Sequence, residues 1–176
     1  MLQPDQIACI IEAASKYEVP ANILLAIAEK EGGKVGQYVG NMNGTYDIGP
    51  MQFNTSYLKE LRQYGINEAA VASPGCFPYH LAAWRVRGHL HDDDGDAWTR
   101  AANYHSRSPI FNQSYRADLI IKAGKWMEWL RSRYDIGSKQ PIYLRKVSIN
   151  SLDAQRSIKP RLIKSTYVPR MVWQKR

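Results

Sequence analysis

The pattern of apolar and polar residues along the chain predicts a mainly helical fold. In residues 20–31, apolar side chains recur every three or four positions, and two glycines follow directly. This spacing predicts a mostly buried helix that ends at Glu31. By the same criteria, further helices are predicted over residues 5–17, after a cap at Asn54 or Thr55 up to Gly65, and over residues 69–72, 79–90, 97–105 and 115–133. In the last of these helices, the apolar residues expected in the core are Leu119, Ile120, Trp126, Met127 and Leu130.

A tight turn interrupts the helical pattern at Asn43-Gly44. An Asn-Gly pair between two short extended segments is a strong hairpin signal, and Asp47 lies on the segment that returns from the turn. We therefore expect a short β-hairpin beside the helix that ends at Glu31. The predicted fold class is mainly α, an α+β arrangement of helices with one small hairpin.

Glu31 occupies a position that suits a proton donor. At the C-terminal end of a helix the macrodipole opposes ionisation, and apolar neighbours remove water from the carboxylate, so both effects raise the pKa of Glu31. A carboxylic acid that stays protonated near neutral pH suits general acid catalysis of glycosidic bond cleavage. Glu29 lies about 200° around the helix from Glu31 and is expected to face away from the same cleft.

Asp47 is the candidate for a second carboxylate in the site. An exposed carboxylate on a polar hairpin is expected to stay ionised, and opposite Glu31 it would stabilise an oxocarbenium-like transition state. An alternative is that Asp47 only forms hydrogen bonds within its own turn, as Asp often does near Gly.

Cysteine and histidine residues leave two structural questions open. Cys9 and Cys76 are the only cysteines. They form either one disulfide, which would stabilise the fold by about 4 kcal/mol through loop closure, or two buried thiols, which the burial preference of cysteine favours. The three histidines His80, His89 and His91 lie near one another in sequence but lack the further ligands of a metal site, and none is predicted.

The acidic run at residues 91–98 resembles a calcium loop only superficially. It lacks the twelve-position ligand pattern and its terminal Glu. A role for Asp96 as the N-cap of the helix over residues 97–105 explains the acidic residues more simply.

Three short motifs together resemble a known family. They are Glu31-Gly32-Gly33, the segment Gly49-Pro50-Met51-Gln52 and the later Tyr104-His105-Ser106. The combination resembles the lysozyme-like lytic transglycosylases, and more closely the small ones that accompany type IV secretion, conjugation, type IV pilus and type III secretion systems. Residues 46–54 also resemble the hairpin of chicken-type lysozymes, in which Asp47 matches the second catalytic carboxylate. The resemblance covers about residues 5–130, with Gly32 replacing the family's usual Ser.

The resemblance implies a lysozyme-like fold and an activity on peptidoglycan. Glu31 would act as both acid and base in cleavage of the β-1,4 bond between N-acetylmuramic acid and N-acetylglucosamine, with Asp47 or the substrate's N-acetyl group stabilising the cation. No cofactor is implied. Tyr104 would direct its hydroxyl at Glu31, although a core tyrosine bonded to a backbone carbonyl is the alternative. The other implied substrate contacts are Gly49, Met51, Gln52, Asn54 and Tyr115. His105 receives no role, since no nucleophile triad or metal motif accompanies it.

The resemblance also implies a periplasmic location, and this reverses the preference for free thiols. An oxidising compartment favours a disulfide between Cys9 and Cys76. The first four residues lack the basic start and apolar stretch of a signal peptide, so either a leader was replaced or export uses another route. No run of apolar residues is long enough to span a membrane.

The net positive charge lies in the C-terminal segment. Residues 1–137 carry 14 basic and 15 acidic side chains, whereas residues 138–176 carry 10 basic side chains and one acidic side chain. Three prolines and the absence of periodicity predict a flexible basic tail after a domain over residues 1–137. Its partner would be a secretion, conjugation or pilus apparatus, or anionic wall polymers. A nucleic-acid partner is disfavoured because the tail lacks a recognised nucleic-acid-binding fold.

Two other functions compete with the transglycosylase. One is a hydrolytic muramidase, which would use the same carboxylates with water as the acceptor. The other is a non-catalytic wall-binding or assembly factor that kept the cleft and recruits a secretion or pilus complex. Turnover that depends on Glu31 separates both enzymes from the binding factor.

Overall fold

A buried central helix organises the fold. The computed structural model describes residues 2–134. Within them, Ala21–Glu31 (α2) buries every residue from 21 to 28 and packs along the last helix, Pro109–Arg133 (α7), and against the first, Pro4–Lys16 (α1). Because neighbours cover α2 on several sides, its sequence is apolar almost throughout.

The remaining elements confirm the predicted mainly helical α+β class. The further helices are Thr55–Leu61 (α3), Glu68–Ala72 (α4), Phe77–Asp92 (α5) and Ala97–Ala102 (α6), and a 3-10 turn spans Arg62–Tyr64. Within residues 2–134, no helix is both long and apolar enough to cross a lipid bilayer. The predicted tail over residues 138–176, and with it the predicted boundary at residue 137, lies outside the described residues.

A small antiparallel sheet follows α2 and confirms the predicted hairpin. Its strands are Tyr38–Gly40 (β1), Tyr46–Ile48 (β2) and Phe53–Asn54 (β3), in the order β1-β2-β3. Asp47 on β2 lies opposite Val39 on one side and Asn54 on the other. The sequence did not predict the third strand because two residues are too few to form a pattern.

The start of the last helix differs from the prediction. α7 begins at Pro109 rather than at residue 115, with Ser108 as an extended N-cap and Pro at the first helical position. Ile110 and Phe111 in its first turn are exposed, so apolar periodicity did not reveal this turn. The predicted helix over residues 97–105 also ends earlier, at Ala102.

The core positions predicted on α7 are correct in part. Leu119, Trp126 and Leu130 are buried, but Ile120 is exposed and Met127 is only partly buried. A 3.6-residue helix places two adjacent apolar residues about 100° apart. Only one of each such pair therefore faces α2.

A disulfide joins α1 to the start of α5. The Cα atoms of Cys9 and Cys76 lie 5.0 Å apart, and the two residues are bonded through their sulfurs. This confirms the disulfide over the two buried thiols. The bond closes a loop of 67 residues, which in the chain-entropy account stabilises the folded state by about 4 kcal/mol.

Candidate active site

The end of α2 places Glu31 as predicted. Glu31 is the last residue of the helix, and Gly32 follows in the left-handed conformation with φ 59°. The Gly32 N–H donates to the carbonyl of Ala28 at 3.1 Å. A left-handed residue at this position ends an α-helix, and glycine adopts it without steric cost.

The second glycine permits a close contact with the turn after β2. A Cβ at Gly33 would lie 2.1 Å from the Gly49 carbonyl oxygen and 2.5 Å from Nε2 of Gln52. Both distances are far shorter than a van der Waals contact. The two motifs Glu31-Gly32-Gly33 and Gly49-Pro50-Met51-Gln52 are therefore packed directly against each other.

Gln52 has a strained backbone conformation, and its side-chain amide is hydrogen-bonded within the turn. Its φ of 50° lies in the left-handed region, which non-glycine residues rarely adopt. Its backbone N–H and its side-chain Nε2 both donate to the Gly49 carbonyl, at 3.1 and 2.8 Å. The neighbouring Met51 side chain is fully buried. These contacts give Gln52 and Met51 a role in shaping the turn, and the sugar contacts assigned to them stay predictions.

The hydrogen-bond partner of Glu31 was predicted wrongly. The Tyr115 hydroxyl donates to Oε1 of Glu31 at 2.6 Å, whereas the Tyr104 hydroxyl donates to the Met51 carbonyl at 2.8 Å. Tyr104 is 3% exposed and is thus the core tyrosine of the alternative interpretation. Tyr115 reaches the acid from α7, which packs along α2.

Two asparagine amides hold Asp47. Nδ2 of Asn41 donates to Oδ2 of Asp47 at 3.0 Å, and Nδ2 of Asn54 donates to Oδ1 at 2.8 Å. Asn54 also caps α3, since its side-chain oxygen accepts the Ser56 N–H at 2.9 Å. Asn54 therefore positions the carboxylate, and its predicted direct contact with sugar remains a prediction. Asn41 belongs to the turn before β2, so its bond to Asp47 is of the kind that the alternative expects, and the catalytic role of Asp47 also stays a prediction.

The environment of Glu31 raises its pKa from 4.5 to about 7. Part of the residue surface stays exposed, but the carboxyl group lies deep enough that loss of hydration is the largest cause. The Tyr115 hydrogen bond and the charge of Arg85 oppose this rise, the negative charge of Asp47 adds to it, and Lys30 opposes it weakly. At neutral pH the group is thus divided between acid and base forms, as acid and base catalysis by one residue requires.

Two cations lie near the acid, and the sequence analysis predicted neither of them as part of the site. The Arg85 guanidinium lies 4.3 Å from the ring centroid of Tyr57 and 4.7 Å from that of Tyr104, within cation–π range. The Lys30 ammonium lies 4.9 Å from the Tyr115 ring and 2.6 Å from Oδ2 of Asp118. Arg85 lies on α5, and no motif connects it with Glu31.

Two secondary predictions are confirmed. Glu29 faces α7 rather than the site, because its carboxylate accepts from Nζ of Lys122 at 3.0 Å and from Nε1 of Trp126 at 2.6 Å. Asp96 caps α6, because one of its oxygens accepts the backbone N–H of Trp98 and of Thr99. Among the described residues, no group of three His, Cys, Asp or Glu side chains is arranged to hold a metal ion.

Comparison with known proteins gives partial matches. No protein-family model matches the chain. It is similar to protein IpgF of Shigella flexneri, with 41% identity over 76 residues, which are 43% of this chain and 50% of the relative. For protein IpgF of Shigella sonnei the identity is 42% over 77 residues, with the same shares. For invasion protein IagB of Salmonella typhimurium it is 32% over 76 residues, 43% of this chain and 48% of the relative. The chain thus spans about half the length of the curated relatives it matches.

The raised pKa of Glu31 predicts a stability that depends on pH. The folded state binds the proton of Glu31 more tightly than the unfolded chain does. Protonation of Glu31 therefore adds to the free energy of unfolding below pH 4.5, and this added stability is lost as the pH rises through about 7. The side chain of a Glu31→Gln variant does not titrate, so its stability does not change with pH in this way. The free energy of unfolding of Glu31→Gln minus that of wild type should therefore be up to about 3 kcal/mol larger at pH 8 than at pH 4. Urea unfolding of both proteins at the two pH values measures the difference, and a pH-independent difference would contradict the raised pKa.

Proposed function

We propose that this chain is a peptidoglycan lytic transglycosylase that cleaves the β-1,4 bond between N-acetylmuramic acid and N-acetylglucosamine. The observation that carries the proposal is the carboxyl group of Glu31, whose pKa is raised to about 7 and which faces the charge of a second carboxylate, Asp47. A carboxylic acid protonated near neutral pH beside a second carboxylate is the arrangement that glycosidic cleavage uses. Partial similarity to IpgF and IagB supports the assignment.

Cleavage begins with proton transfer from Glu31. Because Tyr115 donates to Oε1, the proton of the neutral acid is placed on Oε2, from which it passes to the glycosidic oxygen. The bond between this oxygen and the anomeric carbon then breaks, and the leaving sugar departs as an alcohol. Positive charge develops on the anomeric carbon and ring oxygen, where the Asp47 carboxylate or the substrate's N-acetyl group stabilises it.

The second step returns the proton to Glu31. The muramoyl 6-hydroxyl attacks the anomeric carbon, and the Glu31 carboxylate removes the hydroxyl proton as the new bond forms. The product is a 1,6-anhydromuramoyl end, and the acid is regenerated without water. If water attacks instead, the same residues give a muramidase. A pKa of about 7 suits both proton transfers at neutral pH.

The setting that we propose is the cell wall outside the cytoplasm. A disulfide between Cys9 and Cys76 persists in oxidising compartments, and IagB is named an invasion protein. We place the enzyme beside a secretion, conjugation or pilus apparatus, for which it would open the wall locally. The basic residues 138–176 would hold it at an anionic partner or at anionic wall polymers.

The first prediction concerns the acid. Glu31→Gln should lower the release of soluble muropeptides by at least 100-fold, because the amide does not donate a proton with the driving force of an acid. Glu29→Gln is the matched control on the same helix, since Glu29 bonds to Lys122 and Trp126 on α7. We expect this control to retain activity within threefold. A folded Glu31→Gln variant that digests peptidoglycan within threefold of wild type would remove Glu31 as the acid and favour a binding factor.

The second prediction concerns Asp47 and the product. We expect anhydro-muropeptides as the main product by mass spectrometry, and a rate loss of at least tenfold for Asp47→Asn, which corresponds to about 1.4 kcal/mol of transition-state stabilisation. Asp92→Asn, an exposed substitution at the end of α5, is the control. Mainly reducing-end muramic acid would make the protein a muramidase. Unchanged turnover in Asp47→Asn would limit Asp47 to shaping the hairpin.

The third prediction concerns residues 138–176. A chain ended after Gly137 should keep its specific activity on soluble glycan fragments, because every proposed sugar contact precedes this point. It should lose salt-sensitive binding to anionic cell walls, because it lacks ten basic side chains. Sedimentation with purified walls at low and high salt measures the binding. Equal binding by both chains at low salt would contradict the proposed role of the tail.

A further inference from the structure

His105 stacks on the tyrosine that binds the acid. Its imidazole ring is nearly parallel to the Tyr115 ring, with an interplanar angle of 6° and 4.8 Å between the centroids. His105 lies just after α6, in the connection to α7, and is exposed, whereas Tyr115 is 4% exposed. One face of the imidazole thus covers the tyrosine that donates to Glu31.

We propose that His105 is a positioning residue that holds the Tyr115 hydroxyl on Oε1 of Glu31, so that Oε2 carries the proton for the substrate. The catalytic part of this inference rests on the proposed function, whereas the effect on Glu31 itself does not. His105 acts through Tyr115 and contacts neither carboxylate through a hydrogen bond in the described part of the chain.

The stack restrains the motion that would break the bond to the acid. α7 fixes the Cα of Tyr115, but rotations about the two side-chain torsions would still move its hydroxyl. A parallel ring packed against one face opposes both rotations, because either one separates the rings or forces them into each other. Lys30 approaches the same ring at 4.9 Å and is itself held by Asp118. Tyr115 is thus restrained by a ring, a cation and its own hydrogen bond.

The imidazole acts through its planar surface rather than through its charge. Partial burial of the imidazole, one face of which stacks on Tyr115, lowers the pKa of His105; the charges of Lys30 and Arg85 lower it further, while Asp47 opposes them. Histidine with a lowered pKa is neutral at neutral pH. A neutral planar ring of another type should therefore replace it.

Loss of the stack should change the titration of Glu31 in a known direction. The Tyr115 hydrogen bond lowers the pKa of Glu31, so a displaced hydroxyl raises it. The other charged groups that face the acid are Lys30 on α2, Asp47 on β2 and Arg85 on α5. None of these charges is changed by substitution of His105, and water admitted by loss of the ring would lower the pKa of Glu31, so a rise reports the displaced hydroxyl.

The experiment measures the pKa of Glu31 by carboxyl NMR titration in the full chain, with His105→Ala, His105→Phe, Tyr115→Phe and the double variant His105→Ala/Tyr115→Phe. We expect His105→Ala and Tyr115→Phe to raise the pKa of Glu31, and His105→Phe to leave it close to that of wild type. In the Tyr115→Phe background, His105→Ala should add no further shift, because the stack acts through the hydroxyl. His105→Leu, which has similar bulk but no planar ring, replaces the Ala variant if that variant does not fold.

Turnover provides the second measurement. His105→Ala should lower kcat about tenfold with a smaller change in KM, because a misplaced proton donor affects the transition state more than binding. His105→Phe should retain at least a third of the wild-type kcat. If His105→Ala changes neither the pKa of Glu31 nor kcat, or if His105→Phe is as damaging as His105→Ala, the positioning role is wrong. If wild type releases no muropeptides, the proposed function fails, and the pKa measurements still decide the role of His105.

Discussion

The loss of hydration at the Glu31 carboxyl group is the constraint on which the site depends. Burial alone would hold the proton so tightly that the group would serve as an acid but not as a base. The hydrogen bond from Tyr115 and the charge of Arg85 favour the ionised form, and together with Lys30 they limit the pKa to about 7. These groups come from α7, α5 and α2. Three helices must therefore pack in one arrangement for a single carboxyl group to exchange its proton near neutral pH, and the buried α2 supplies the rigid centre of that arrangement.

Close backbone contacts bring the second carboxylate to the same place. Gly33 lies against Gly49, and a Cβ on Gly49 would lie 2.1 Å from the Val71 carbonyl oxygen. The end of α2, the turn after β2 and α4 are thus stacked at distances that only glycine permits. β2 leads directly into this turn and carries Asp47. The hairpin is therefore fixed relative to the acid through main-chain contacts, which are stiffer than contacts between long side chains.

Features that depend on residues close together in the sequence, such as helix ends, turns and caps, were predicted from local sequence motifs. The end of α2, the hairpin turn and the cap at Asp96 depend on residues within a few positions, and each is predicted correctly from the sequence. For α3 the sequence left Asn54 and Thr55 as candidate caps, and the structure has Asn54. The hydrogen-bond partner of Glu31 is 84 residues away in the sequence and is set by how α7 packs on α2. The motif match pointed to Tyr104 instead of Tyr115. Arg85 reaches the site only because α5 packs as it does, and an isolated arginine carries no signal. The left-handed Gln52 was also missed, since sequence rules assign that conformation to glycine or asparagine.

The two carboxylates have different hydrogen-bond environments, which suit the different roles proposed for them. Among the described residues, Glu31 accepts a side-chain hydrogen bond on Oε1, from Tyr115, and in the proposed reaction Oε2 would carry the proton toward substrate. Asp47 accepts an amide N–H on each oxygen, from Asn41 and Asn54, which fixes the orientation of the whole carboxylate. A donor needs one oxygen available for proton transfer, whereas an electrostatic stabiliser needs only a fixed position near the developing charge. The pattern of hydrogen bonds therefore agrees with the two proposed roles without reference to any relative, which matters because the similar proteins are matched over only about half of their length.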